Sequence, residues 1–275
     1  MRFILEAIRE LEMKEEDLIY FKSWFSDFCA RYYFDDIDDQ RNITLKEQHT
    51  KNVCSNMVEI ARAHYIDPND VLLAEAVALF HDTGRFPQYA RWKTFRDAVS
   101  VNHGLLGAET LLKEQVLVAL PADEQTLIIQ AVKYHNAYKI PAFQTAETIK
   151  FLKMIRDADK LDIWEVFIEL FSLPPELRAS AATLGFPDTD GYSGGLITCI
   201  KDKRIGNLKN VRSVNDYKIL LLTWIFDINY EKSFRLINDR DYIARISEYL
   251  PRNDEIGEIT AALTAHVREK AAVSY

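Results

Sequence analysis

Apolar residues recur every three or four positions along most of the chain, the period of an amphipathic helix. Residues 15–34 place Leu18, Phe21, Phe25, Phe28 and Tyr32 on one stripe, and the acidic run at 35–42 is predicted to break that helix. A second helix fits 45–65 and ends at Asp67-Pro68. Asn69 or Asp70 then caps the run VLLAEAVALF, which Asp82-Thr83-Gly84 stops. Residues 81–102 read as an aromatic, loop-rich stretch. Further helices fit 103–119, 123–138 and 146–170, and Pro174-Pro175 interrupts the pattern. Five glycines (Gly185, Gly191, Gly194, Gly195 and Gly206) crowd 183–210, which reads as a long loop or small insertion with room for a short hairpin. Helical periodicity resumes at Asp216 with YKILLLTWIFDINY and continues through 239–250 and 253–270. No repeat and no sharp linker is visible. The expectation is a single all-α domain over 1–275. Its core occupies about 40–170, with N-terminal helices (1–40) and C-terminal helices (211–275) packed on it.

Composition supports this class. Gly and Pro together make about 6% of the residues, half the usual share of about 12%, and so few turn-formers disfavour a many-stranded sandwich or barrel. The net charge of −8 argues against nucleic-acid polymers and anionic membranes as partners, because an acidic surface repels both. Cys29, Cys54 and Cys199 are widely spaced and odd in number, which points to reduced thiols in a cytoplasmic protein. The N-terminal MRFILEAIRELEMKEED is acidic and amphipathic, unlike a secretory signal. The longest apolar stretch, Ile219 to Phe226, is far below the ~20 residues that cross a bilayer.

The chemistry concentrates in a few side chains. Of six histidines, four stand in order with two aspartates: His49, His81-Asp82, His103, His135 and Asp159. At helical spacing His49 aligns with Val53, Met57 and Ile60, and His81 with Leu73, Ala74 and Val77. His103 aligns with Leu106, Gly107 and Leu111, His135 with Ile128, Ala131 and Val132, and Asp159 with Leu152, Ile155 and Ile163. One histidine on an apolar face is ordinarily a hydrogen-bonded core residue, the reading given to His64 and His266. Ligand-type residues on the apolar faces of five successive helices are different. A buried carboxylate without a partner is costly, and a shared cation answers that cost. Imidazole and carboxylate suit a divalent ion such as Fe, Mn, Co or Zn, and without thiolates a closed structural zinc site is disfavoured. In DADKLD, Asp157 shares a face with Lys153, Met154 and Lys160, whereas Asp159 lies on the apolar stripe and is the chosen ligand.

The order H…HD…H…H…D resembles the HD-domain metal-dependent phosphohydrolases. The resemblance runs from about Leu45 to Trp164 and is carried by LKEQHTKNV, ALFHDTGRF, VNHGLLGAETLL, AVKYHNAY and RDADKLDIW. It implies an all-helical bundle around one or two divalent ions (Fe, Mn, Co, Zn or Mg) held by His49, His81, Asp82, His103, His135 and Asp159. The two additional histidines match the subset that holds two metals, with Asp82 as the bridge and His103 and His135 as second-metal ligands or phosphate-binding groups. Asn136 stands where the cyclic-dinucleotide branch doubles its histidine, so that branch does not fit, and the guanosine-tetraphosphate branch lacks the extra histidines. The bacterial dinucleoside-tetraphosphate hydrolases with a di-iron centre share the ligand order but have shorter chains. Arg85 lies where the family often places a cation against substrate phosphate. Lys160 is a second candidate, and Lys133 and Arg156 are weaker ones. Phe86, Tyr89, Trp92 and Phe95 either stack a nucleobase or fill the core. The expected activity is hydrolysis of a small phosphorylated metabolite such as a nucleotide, with Asp82 and Arg85 as catalytic residues. Two alternatives are a di-iron oxygenase resembling inositol oxygenase and a binding module without turnover. Residues 171–275 are expected to cover the site or to make a homodimer contact.

Overall fold

A computed structural model describes residues 12–64, 67–181 and 184–272 of the chain. Part of the N-terminal segment expected to be helical therefore lies outside the described residues. Twelve α-helices are described: α1 (Glu15–Ala30), α2 (Ile37–His64), α3 (Pro68–Phe80), α4 (Arg85–Trp92), α5 (His103–Glu114), α6 (Ala122–Tyr134), α7 (Ala146–Ser172), α8 (Gly194–Lys201), α9 (Val214–Thr223), α10 (Glu231–Asp239), α11 (Tyr242–Ser247) and α12 (Asp254–Ala271). Short 3₁₀ turns lie at Asp97–Val99, Pro175–Leu177, Leu208–Asn210 and Trp224–Asp227, and there is no strand among the described residues. The protein is all-α, consistent with an HD-type helical bundle. The chain divides into two compact units, 1–158 and 159–275, and the division falls inside the continuous helix α7.

In the first unit α2 packs along α3, α1 leans on α3, and α5 packs on α6. The aromatic stripe of α1 is its core: Phe21 and Trp24 meet Phe80 edge-on, and Phe25 and Phe28 meet Phe86. Pro68 occupies the first turn of α3, where its missing N–H costs nothing. The cap is Asp67, whose carboxylate accepts from Asn69 N at 3.0 Å, rather than the expected Asn69 or Asp70. The acidic run at 35–42 starts a helix instead of breaking one. Asp36 Oδ1 accepts from Asp38 N (3.0 Å) and Asp39 N (2.9 Å), and those two acids favour the positive end of α2.

Helix α4 lies within the stretch expected to be loop. Phe86, Tyr89 and Phe95 are buried there as core, whereas Trp92 is only half-buried, under Arg91. Tyr89 ties the helix down, with Asn42 Nδ2 donating to its hydroxyl (2.9 Å) and that hydroxyl donating to Asp39 (3.0 Å).

The second unit is built on the buried run Ile219–Leu222 of α9, on α10 against α12, and on Trp164, whose indole donates to Leu221 O at 3.1 Å. The Gly-dense region holds α8 and no hairpin. Buried Asp216 accepts from both Ser193 N (2.5 Å) and Ser193 Oγ (2.7 Å), which fixes the start of that helix. The helix expected over 239–250 is broken at Asp241, which adopts a left-handed φ of 51°. Cys29, Cys54 and Cys199 are buried free thiols; burial raises Cys29 and pushes Cys54 up to about 12. No described helix is long and apolar enough to cross a membrane.

Candidate metal centre

Each ligand-type residue comes from a helix or a helix end. His49 is in the middle of α2, His81 and Asp82 follow α3, His103 opens α5, His135 follows α6, and Asp159 lies on α7. All four imidazoles are buried, as is Asp82. The helix ends set their orientation. His81 Nδ1 donates to Ala78 O at 2.7 Å and His135 Nδ1 donates to Val132 O at 2.7 Å. Each ring thus satisfies a carbonyl that the finishing helix leaves unpaired. Because a carbonyl can only accept, Nδ1 carries a proton, and in the neutral ring Nε2 is the lone-pair nitrogen. His103 reaches the same state by another route: its Nδ1 lies 2.7 Å and 2.9 Å from the two carboxylate oxygens of Asp97.

The Nε2 atoms converge. His49 and His81 bring theirs to 3.4 Å, and His103 and His135 to 3.0 Å. Asp82 straddles the two pairs. Its Oδ2 lies 3.5 Å from His49 Nε2 and 3.7 Å from His81 Nε2, while its Oδ1 lies 3.4 Å from His103 Nε2 and 3.8 Å from His135 Nε2. Asp159 lies one residue beyond the division, on the same helix. Ligand atoms of Asp82, His103 and His135 all lie within 4.8 Å of one another. Asp157 is fully buried and is not among them.

The donor set fits a cation. Two imidazole lone pairs 3.0 Å apart beside a carboxylate repel one another, and neither ring has a proton to offer. Two nitrogens bound at about 2.1 Å to one ion stand roughly 3.0–3.4 Å apart at ordinary ligand angles, which matches both pairs.

Charged neighbours complete the centre. Lys46, one turn before His49 on α2, donates to Asp82 Oδ2 at 2.8 Å. Burial pushes the Asp82 carboxyl up, but Lys46, His81, Arg85 and His103 together outweigh it and hold the group well below the usual carboxylate range. Burial, with the charge of Arg85, lowers His103 despite the bond to Asp97. Asp97 is held low because the bond from His103 and the charges of His103 and Arg85 overcome its burial.

Among the expected phosphate contacts, Arg85 turns Nη1 to Phe95 O (2.6 Å), Gln88 Oε1 (2.9 Å) and Asp97 Oδ1 (3.0 Å). Its Nε is buried, makes no hydrogen bond, and stands 3.4 Å from Asp82 Oδ1. Lys160 pairs with Asp227 at 2.8 Å. Lys133 is half-buried beside the Tyr134 ring. Buried Arg156 donates to His135 O at 3.1 Å and to Ala137 O, bracing the backbone that carries His135. His64, expected in the core, is exposed because α2 runs out into solvent, and His266 is half-buried beside Phe226 and Phe234.

Sequence reading missed Lys46, Asp97, Gln88 and Asn136. Lys46 was within reach of it, three residues before His49 and therefore on the same face of α2. Asp97 gives no such signal, because it lies in irregular chain.

Two glycines set the spacing. A Cβ on Gly84 would stand 2.1 Å from His103 O and 2.6 Å from Gly107 N, and one on Gly104 would stand 2.8 Å from Lys133 O. Backbone therefore meets backbone where the turn carrying Asp82 rests on α5, and again where α5 crosses α6.

An all-helical scaffold whose helix ends aim imidazoles at a shared carboxylate is compatible with binding of a divalent metal. Residues 47–164 match the family described as HD domain. That superfamily is one of metal-dependent phosphohydrolase type. No curated protein and no solved structure matches the chain.

Proposed function

We propose that the protein is a two-metal phosphohydrolase acting on a phosphoester or phosphoanhydride of a nucleotide or another small phosphorylated metabolite. The observation that carries this reading is Asp82 placed between two imidazole pairs, one oxygen to each. His49, His81 and Asp159 would hold one ion, His103 and His135 the other, and Asp82 both. Bound there, the ions supply Lewis acidity toward phosphoryl oxygens and acidify water from 15.7 to about 7. The chain's own contribution is positioning and charge. Arg85 keeps a buried, unbonded Nε beside Asp82 as a donor for a phosphoryl oxygen. Lys46 balances the carboxylate from the other side. A net charge of −8 favours a diffusible substrate over a nucleic-acid polymer or a membrane surface.

The test is a phosphate-release assay with Mn, Fe, Co or Mg across phosphomonoesters, nucleotides and dinucleotides. Release with at least one ion, abolished in His81→Ala, is expected. No release with any ion overturns the reading. Oxygen uptake by iron-loaded protein, absent with Mn, overturns it in favour of an oxygenase.

A further inference from the structure

The outer partners of the imidazoles are not all alike. His81 and His135 each donate Nδ1–H to a neutral backbone carbonyl, whereas His103 donates to a carboxylate, Asp97. A charged acceptor makes a stronger bond than a neutral one and leaves the ring a better electron donor at Nε2. Asp97 is itself held from several directions. Gln88 Nε2 donates to its Oδ1 at 2.9 Å, Arg85 Nη1 to the same oxygen at 3.0 Å, and Asn136 Nδ2 to its Oδ2 at 3.1 Å. Gln88 is fully buried and also donates to Ser100 Oγ (2.9 Å) and Val101 O (3.0 Å), so it cannot swing away cheaply. Arg85 further pins the segment through Phe95 O. This is an elaborate hold on one carboxylate in a short irregular stretch, and its only histidine partner is His103.

We propose that Asp97 is a positioning residue that acts through His103 to set the strength of the His103–His135 half of the centre, and that Arg85 and Gln88 serve to lock it. This inference rests on the two-metal reading above and assigns a separate outer partner to one half of it. The half formed by His49, His81 and Asp159 serves as an internal reference.

The experiment is a Co(II) titration of the purified full chain, followed by visible absorption and by metal content per chain, so that no substrate is needed. The parent is expected to take up two ions. Asp97→Asn still accepts the Nδ1–H bond but without charge. It should bind one ion as the parent does and the other 10–100-fold more weakly, with an altered absorption envelope for that ion alone. Asp97→Glu, which restores the charge, should return most of that affinity. Equal, parental binding of both ions by Asp97→Asn overturns the inference, as does an equal loss for both ions. If Asp97→Asn loses its helical circular dichroism, Gln88→Leu, which removes one lock on Asp97, is read by the same selective-against-equal criterion. A parent that binds no Co(II) overturns the metal reading itself, a result distinct from any of these.

Discussion

At the residue scale the centre holds a buried ion pair whose partners have unequal jobs. Lys46 is only 14% exposed and Asp82 4%, so each would be costly without the other. Removing one partner of a buried pair strands the other charge, whereas removing both does not. Asp82→Asn is therefore expected to destabilise the metal-free protein by about 3 kcal/mol, and Lys46→Met added to it should recover most of that loss. Metal uptake should be lost in both the single and the double variant, because Lys46→Met does not return a bridging carboxylate. Urea unfolding of the metal-free forms, set beside metal content, checks this. Failure of the double variant to regain stability would mean that Asp82 is held chiefly by Arg85 and the imidazoles. The converging imidazoles were conspicuous in the sequence because each is a polar residue on an apolar helix stripe. The choice of Asp159 over Asp157 rested on a polar stripe that is polar only in part in the folded protein: Lys153 is exposed, but Met154, Asp157 and Lys160 are buried, and Asp157 is more buried than Asp159.

At the element scale, helices with a clear 3.6-residue period were legible as helices, but not always at their ends: the one expected from 45 begins at Ile37. Those written in short polar or Gly-rich sequence were not. Helix α8 begins with two glycines and exists because Asp216, over twenty residues later, accepts from Ser193. Helix α4 is short and is fastened through Tyr89 to α2. Both depend on tertiary partners that no local pattern encodes. Close backbone approach is equally silent in sequence, and Gly84 tests it. A methyl group there meets backbone atoms rather than a movable side chain. Gly84→Ala should cost about 3 kcal/mol and weaken metal uptake, since α5 carries His103 and must shift. Gly257 is the control: it lies inside α12 with nothing within 4 Å of its would-be Cβ. Gly257→Ala should stabilise by roughly 0.5–1 kcal/mol and leave metal uptake unchanged. Denaturant unfolding of both variants reads the contrast. A neutral Gly84→Ala would show that the turn carrying Asp82 yields more easily than its backbone contacts imply.

For the whole molecule, the centre is a concentrated electrostatic debt in a chain that is otherwise ordinary. Four imidazole rings and the Asp82 carboxylate are buried together, and Lys46 and Arg85 answer the charge of the carboxylate but not the crowding of the ring nitrogens. A divalent ion relieves that crowding, and the unfolded chain cannot assemble the same donors. Binding must therefore appear as folding stability. At a free ion concentration 100 times the dissociation constant, one site contributes about 2.7 kcal/mol. For a chain of this size each kilocalorie moves the melting temperature by about 2–4 °C. Saturating Mn or Co should thus raise the transition by roughly 5–10 °C over protein held in chelator, and the shift should keep growing with the logarithm of free ion. His81→Ala should remove most of it. Scanning calorimetry across buffered free-metal levels is the check. A melting temperature that stays constant over a thousandfold range of free ion would mean that the converging rings are satisfied without a metal, and the chemistry assigned to them would fall with it.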